Sequence, residues 1–215
     1  MAKIIAIDGP ASVGKSTLAK IISRRFDSPI LFSGKLYRAV ALETIKKRIG
    51  PKNIKEILKC VDIIDFDKLN SNELFSSEVD KISSIISANK KLRNRLTKFQ
   101  RDFPKINDIG NRKFAIIEGR DIGTIVFPRA EYKIFLWANA KIRANRRCEQ
   151  MRNNGKKVSY NEVFNEINSR DRKDLMRKIA PLMPAANSVL LDTSYIDIEQ
   201  AFNAVKKTIL KTNTL

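Results

Sequence analysis

Short unbroken apolar runs alternate along this chain with stretches whose apolar residues recur every three or four positions, the spacing of one helix face. Ile4-Ile5-Ala6-Ile7 is the first run, as expected of a strand buried on both faces of a parallel sheet. A helix is predicted from Lys15, with Leu18, Ile21, Ile22 and Phe26 inward, until Asp27-Ser28-Pro29 stops it. Ile30-Leu31-Phe32, Phe114-Ala115-Ile116-Ile117 and Tyr132 to Trp137 read as further strands, the last followed by a helix through Ile142 and Cys148. Val189 to Asp192 reads as the final strand, with Thr193 or Ser194 as cap of a C-terminal helix carrying Ala201, Phe202, Val205 and Ile209. Five strand signals alternating with helices predict the α/β class: a five-stranded parallel sheet with helices on both faces, in three layers.

Two stretches depart from the alternation. Residues 39–104 are mostly helical in pattern, with Ile82, Ile85, Ile86, Leu92, Leu96 and Phe99 as the clearest stripe. They read as an insertion into a single domain whose core is 1–38 and 105–215. Met151 to Asp174 contains the polar loop Asn153-Asn154-Gly155-Lys156-Lys157, is dense in charge and poor in large apolar residues, and predicts a mobile lid at about 151–170.

Composition narrows the chemistry. The 215 residues are 43% hydrophobic and 30% charged, as in ordinary globular proteins, and include no histidine. That absence excludes imidazole general bases, His-dependent triads and His-ligated metal or haem sites. Cys60 and Cys148, without a CxxC pair, read as reduced apolar residues. The N-terminal apolar run is too short for a signal peptide and no run approaches a membrane span, which sets a cytoplasmic, membrane-free expectation. The net charge of 42 − 23 = +19 is scattered rather than clustered, so it reads as a Lys-rich solvated surface or a need for phosphate ligands; nucleic acid is the less favoured partner.

Gly9-Pro10-Ala11-Ser12-Val13-Gly14-Lys15-Ser16 fits G-x-x-x-x-G-K-(S/T) at every required position, between a predicted strand and a predicted helix. Glycines let successive backbone N–H groups turn inward around phosphate oxygens, and the following helix adds its positive end. Gly9 through Ser16, with Thr17, are therefore the candidate ATP-phosphate residues of a P-loop NTPase, Lys15 reaching the β- and γ-phosphates and Ser16 ligating Mg²⁺. Ser33, Tyr37 and Arg38 fall just past a strand's C-terminal end, where open α/β sheets bind ligands. Arg38 reads there as a monophosphate grip or as a surface helix arginine. Arg170, Asp174 and Arg177, four and three residues apart, share one helix face and read as a ligand-facing set or a local charge pair.

Three segments carry a family resemblance: Ile7-Asp8-Gly9-Pro10, Ser33-Gly34-Lys35-Leu36-Tyr37-Arg38, and Glu118-Gly119-Arg120-Asp121-Ile122-Gly123-Thr124. With Arg170-Asp171-Arg172-Lys173-Asp174, Arg177 and Ala180-Pro181-Leu182-Met183-Pro184-Ala185-Ala186 in order, nearly the whole chain resembles the bacterial cytidylate kinases. The resemblance implies a monomeric kinase of pyrimidine nucleotide metabolism that transfers the γ-phosphate of MgATP to CMP or dCMP, with UMP as a weak substrate. It implies that Lys15, Arg120 and Arg177 serve phosphoryl transfer. Arg38, Arg120 and Arg177 hold the acceptor phosphate, Ser84, Arg93 and Asp121 read cytosine, Arg170 and Asp174 contact the sugar, and Ser33 and Tyr37 complete the acceptor site. Phe32 stands where the family usually has an acidic residue and Glu118 where it usually has Asp, Glu118 reaching Mg²⁺ through water. Residues 61 to 80 lack the alternating strands of the family's small antiparallel sheet. Alternatives are a P-loop kinase for UMP, another nucleoside monophosphate or shikimate, and a nucleic-acid-stimulated ATPase.

Overall fold

The computed structural model describes residues 2–64, 69, 71–106, 112–153 and 155–211, the side chains of 106 and 211 excepted. Five parallel strands form one sheet in the order β2-β3-β1-β4-β5: β1 (Lys3–Asp8), β2 (Ile30–Phe32), β3 (Phe114–Glu118), β4 (Tyr132–Trp137) and β5 (Val189–Asp192). The register runs Ile5 opposite Ile116 on one side of β1 and Ile7 opposite Ile134 on the other. The predicted strands fall at or within one residue of these bounds, because strands covered on both faces must be apolar throughout.

Both faces are covered. Leu18, Ala19 and Ile22 of α1 (Lys15–Arg25) and Phe202, Val205 and Ile209 of α8 (Ile198–Lys211) pack with Ile5, Ile7, Phe114 and Ile134 on one side. On the other, Ala6, Leu31, Ala115 and Ile117 meet α2 (Ser33–Lys46), α3 (Ile54–Val61), α4 (Ser77–Ile86) and α5 (Lys90–Ile106) in one cluster. The helices of 39–104 thus share the sheet's core, and residue 39 lies within α2. In 61–80 the described residues form the end of α3, a 3-10 turn at Asn72–Phe75 and the start of α4; 65–68 and 70 lie outside the described residues.

Two local expectations are corrected. The segment 151–174 does bury apolar surface: α6 (Ala140–Asn153) and α7 (Tyr160–Met176) form a hairpin around Ala144, Cys148, Val163 and Ile167, a helical stripe diluted by charged residues. The cap of α8 is Asp197, whose carboxylate accepts from Gln200 N while the Gln200 side chain accepts from Asp197 N, a reciprocal box. Thr193 is occupied elsewhere, its hydroxyl donating to Val13 O at 3.0 Å, and Ser194 Oγ accepts from Asn139 N. No helix among the described residues is long and apolar enough to cross a membrane.

Candidate active site

The loop leaving β1 is held open by backbone that side chains resist. Gly9 has φ +146°, and a Cβ there would stand 2.2 Å from the Leu136 carbonyl oxygen of β4; Gly14 has φ +97° where α1 begins. Lys15, in the first turn of α1, is buried, donates to Pro10 O at 2.6 Å and lies 3.7 Å from Glu118 Oε1. Ser16 Oγ donates to the other Glu118 oxygen at 3.4 Å, so the carboxylate ending β3 sits between the lysine and the serine. Burial, then the positive charge of Arg120, pulls the Lys15 ammonium down to about 7.

Asp8, absent from the sequence-derived candidates, braces this loop. Its two carboxylate oxygens accept from Ile122 N (2.8 Å) and Gly123 N (2.7 Å), tying the end of β1 to the π-turn Ile122–Val126 that follows Arg120 and Asp121. Burial pushes its carboxyl up to about 7 despite those two hydrogen bonds. A second brace is the buried pair Arg143–Asp171: Arg143 donates to Asp171 Oδ2 (2.5 Å), Ala11 O (3.1 Å) and Ala138 O (2.8 Å), while Asp171 Oδ1 accepts from Ala11 N at 3.4 Å. Arg143 therefore supports the loop's backbone.

A cleft opens at the C-terminal ends of β2 and β3, between the helices of 39–104 and α7. Ser33, Tyr37, Ser84, Arg93, Arg120, Asp121, Arg170, Asp174 and Arg177 all line it, drawn from five separate stretches of chain. Arg93 of α5 pairs with Asp121, both buried, and lies 5.6 Å over the Tyr37 ring. Of the three serines at and just past the end of α4 that line the cleft, Ser83 donates to Asp80 O and Ser87 to Ser84 O, while the Ser84 hydroxyl makes no such bond among the described residues.

Asp174 accepts from Arg120 Nε at 3.2 Å and lies 3.6 Å from Arg177 Nη1, so its partners are those two arginines rather than Arg170 of the same helix. Arg177 lies just past α7, outside the helical run its spacing suggested. Its Nη2 is buried without an acceptor, and Ser33 Oγ and Gln100 Oε1 are likewise buried without a hydrogen-bond partner among the described residues. Burial, then Arg93, lowers the Arg177 guanidinium from its ordinary value, the condition under which a bound anion is most favourable.

Arg38 is not part of this lining; it turns toward Asp80, Leu74 and Phe75 of the inserted helices. On the far side of the P-loop a second cleft is lined by Val13, Gly14, Thr17, Arg146, Thr193 and Asp197 among others. Apart from Gly14 and Thr17 of the phosphate-loop motif, the lining of this second cleft carries no sequence signal, and neither does Gln100, since both sites arise where segments distant in the chain meet.

The family model for cytidylate kinase matches residues 5–211. Among similar proteins, the cytidylate kinase of Rhodospirillum rubrum is 39% identical over 94% of both chains, and that of Granulibacter bethesdensis is 36% identical over 97% of both. A solved structure of an uncharacterized protein from Eubacterium ventriosum shares the fold at TM-score 0.55, 16% identity and 98–99% coverage.

Proposed function

This chain belongs to the cytidylate kinase family, and from that premise we propose that its cleft binds CMP or dCMP and its P-loop binds MgATP, the γ-phosphate passing between them to give CDP or dCDP and ADP. The observation that carries this reading is the position of the cleft. Arg120, Arg170 and Arg177, the last with a buried N–H that has no acceptor among the described residues, line the cleft, and the charges of Arg120 and Arg170 are felt at Lys15, while the cleft also presents the Arg93–Asp121 pair and Ser84.

Cytosine shows an exocyclic amine beside an unprotonated ring nitrogen. A carboxylate accepting from the amine and an arginine donating to the nitrogen match that edge and oppose the carbonyl and N–H of uracil. Asp121, Arg93 and Ser84 fill these roles, with the Tyr37 ring beside the base. Arg120, Arg170, Asp174 and Arg177 take the sugar and phosphate, and the second cleft takes the donor's base. Soluble nucleotide substrates suit a chain whose described helices do not span a membrane.

The acceptor is a phosphate monoester, ionised near neutral pH, so attack on the γ-phosphorus needs no general base, and the missing histidines cost nothing. What remains is alignment, exclusion of water and neutralisation of charge, which Lys15, Arg120 and Arg177 supply. The Ser16 hydroxyl and Glu118 carboxylate offer hard oxygen donors suited to Mg²⁺. Those two side chains would be the protein's share of its ligands, since no group of three or more acidic, Cys or His residues gathers among the described residues. When bound, that ion supplies neutralisation of the β- and γ-phosphate oxygens.

ADP release measured with MgATP and each of CMP, dCMP, UMP, AMP, GMP and shikimate tests the reading: turnover is greatest with CMP and dCMP, and turnover confined to another acceptor would refute the base assignment. Asp121→Asn, which keeps shape and removes charge, is expected to raise KM for CMP by about tenfold relative to UMP. Equal losses on both acceptors would remove Asp121 from base reading. Melting of the same variant shows how much of its effect is lost support for the buried Arg93.

Lys15 also links donor binding to pH. With its ammonium near 7 in the free enzyme, the side chain is mostly neutral at pH 8, and a polyphosphate beside it restores the charge. ATP binding at pH 8 should then take up about one proton, and affinity should fall as pH rises above about 7. Calorimetry in buffers of different ionisation enthalpy measures the uptake; binding heats independent of the buffer would exclude it.

A further inference from the structure

Asp80 has no role in the chemistry above, yet two arginines from distant parts of the chain meet at one of its oxygens. Arg38 of α2 donates to Asp80 Oδ1 through Nη2, gives Nη1 to Leu74 O at 2.7 Å and lies 5.4 Å over the Phe75 ring. Arg170 of α7 reaches the same Oδ1 at 3.1 Å, spanning from the C-terminal part of the chain to α4. Ser33, Gly34 and Tyr37 line the acceptor cleft, but Arg38, one residue on, is held away from it. The first turn of α4 gives any acid a favourable helix dipole. That accounts for Glu78 in the same turn, which is exposed and forms no ion pair among the described residues, but not for the convergence of two guanidinium groups.

A carboxylate held by two arginines is the arrangement a phosphate monoester would make with them, with one charge fewer and fewer acceptor oxygens. We infer that Asp80 is an internal competitor for the acceptor's phosphate, holding Arg38 outside the cleft and engaging Arg170 at its lining until the dianion draws both guanidinium groups to itself. The inference rests on the reading of this cleft as a nucleoside-monophosphate site. Asp80 is then a positioning residue that sets acceptor affinity through the two arginines without touching the acceptor. A nucleoside lacking its phosphate has nothing with which to displace it, so the contact adds to the demand for a monophosphate.

The test compares the parent chain with Asp80→Asn, which keeps the size and removes the charge, and with Asp80→Glu, which keeps the charge. In Asp80→Asn, KM for CMP should fall by about three- to tenfold, as for release of one partly exposed ion pair, and by more than any change in kcat. The calorimetric Kd of inorganic phosphate should fall by a similar factor, while Asp80→Glu stays near the parent. A higher KM in Asp80→Asn would show that Asp80 instead braces Arg38 for the acceptor, and would overturn the inference. Unaltered KM and phosphate affinity, with or without a lower melting temperature, would overturn it as well. Should the parent fail to use CMP, the phosphate titration still decides the role of Asp80, so the two readings fail separately.

Discussion

Replacing Lys15 with methionine, which keeps the length and apolar stem, should reduce turnover by about 10³-fold or more while the chain stays folded. The lysine is buried against Pro10 O and next to Glu118, and nothing else in the loop places a cation at that depth. Its loss removes the charge that tracks the transferring group, an interaction strongest in the transition state, so kcat should fall more than KM rises. Stability should be unchanged or slightly higher, because an ammonium whose charged form is disfavoured by burial is replaced by an apolar chain. A coupled assay of ADP release with thermal melting checks both. A variant retaining a tenth of the parent's rate would take Lys15 out of catalysis.

Gly9→Ala should be the most damaging glycine-to-alanine change among the described glycines. The new Cβ would meet the Leu136 carbonyl oxygen at 2.2 Å and its carbon at 3.1 Å, on backbone at φ +146°. Neither contact is with the flexible end of a side chain; both belong to β4, which pairs with β1 through Asp8 opposite Phe135. Relief therefore requires the strands to separate or the loop to change course, at a cost of about 3 kcal/mol or more. For a chain of this size that corresponds to a melting temperature lower by about 10 °C. Nucleotide affinity should drop with it, since the same residue begins the curve of the phosphate loop. Gly34→Ala, where a Cβ would meet nothing within 4 Å and the residue lies in helix α2, is the control expected to melt within a few degrees of the parent. Equal melting of Gly9→Ala and the parent would show that the β1–β4 approach is not rigid.

How much of this was legible in the sequence depends on the range over which each interaction acts. The strands and the phosphate loop were readable because they are local: four to six consecutive apolar residues, or eight residues of fixed spacing. Arg93 and Asp121 were reachable only through family resemblance, since their pairing joins positions 28 apart with no periodic sign. Asp80 reads from sequence as an ordinary acid in a helix's first turn; its meaning comes from Arg38 and Arg170, 42 and 90 residues away. Asp171 was hidden for a related reason. Within Arg170-Asp171-Arg172-Lys173-Asp174 it looks like one more surface charge, and helical geometry alone turns it inward while its neighbours face the cleft or solvent.

That inward turn has a consequence for the order in which the molecule matures. Ala11 of the phosphate loop is gripped by residues 132 and 160 positions later, Arg143 and Asp171. A growing chain releases the glycine-rich loop first and its supports last. Until the α6–α7 hairpin has closed, the loop has its sequence but lacks the clamp on its backbone, so folding cannot proceed strictly from the N-terminus. The capacity to hold a nucleotide is thus a late event in the life of each chain, and incomplete copies carrying the full phosphate-loop motif are poor competitors for ATP.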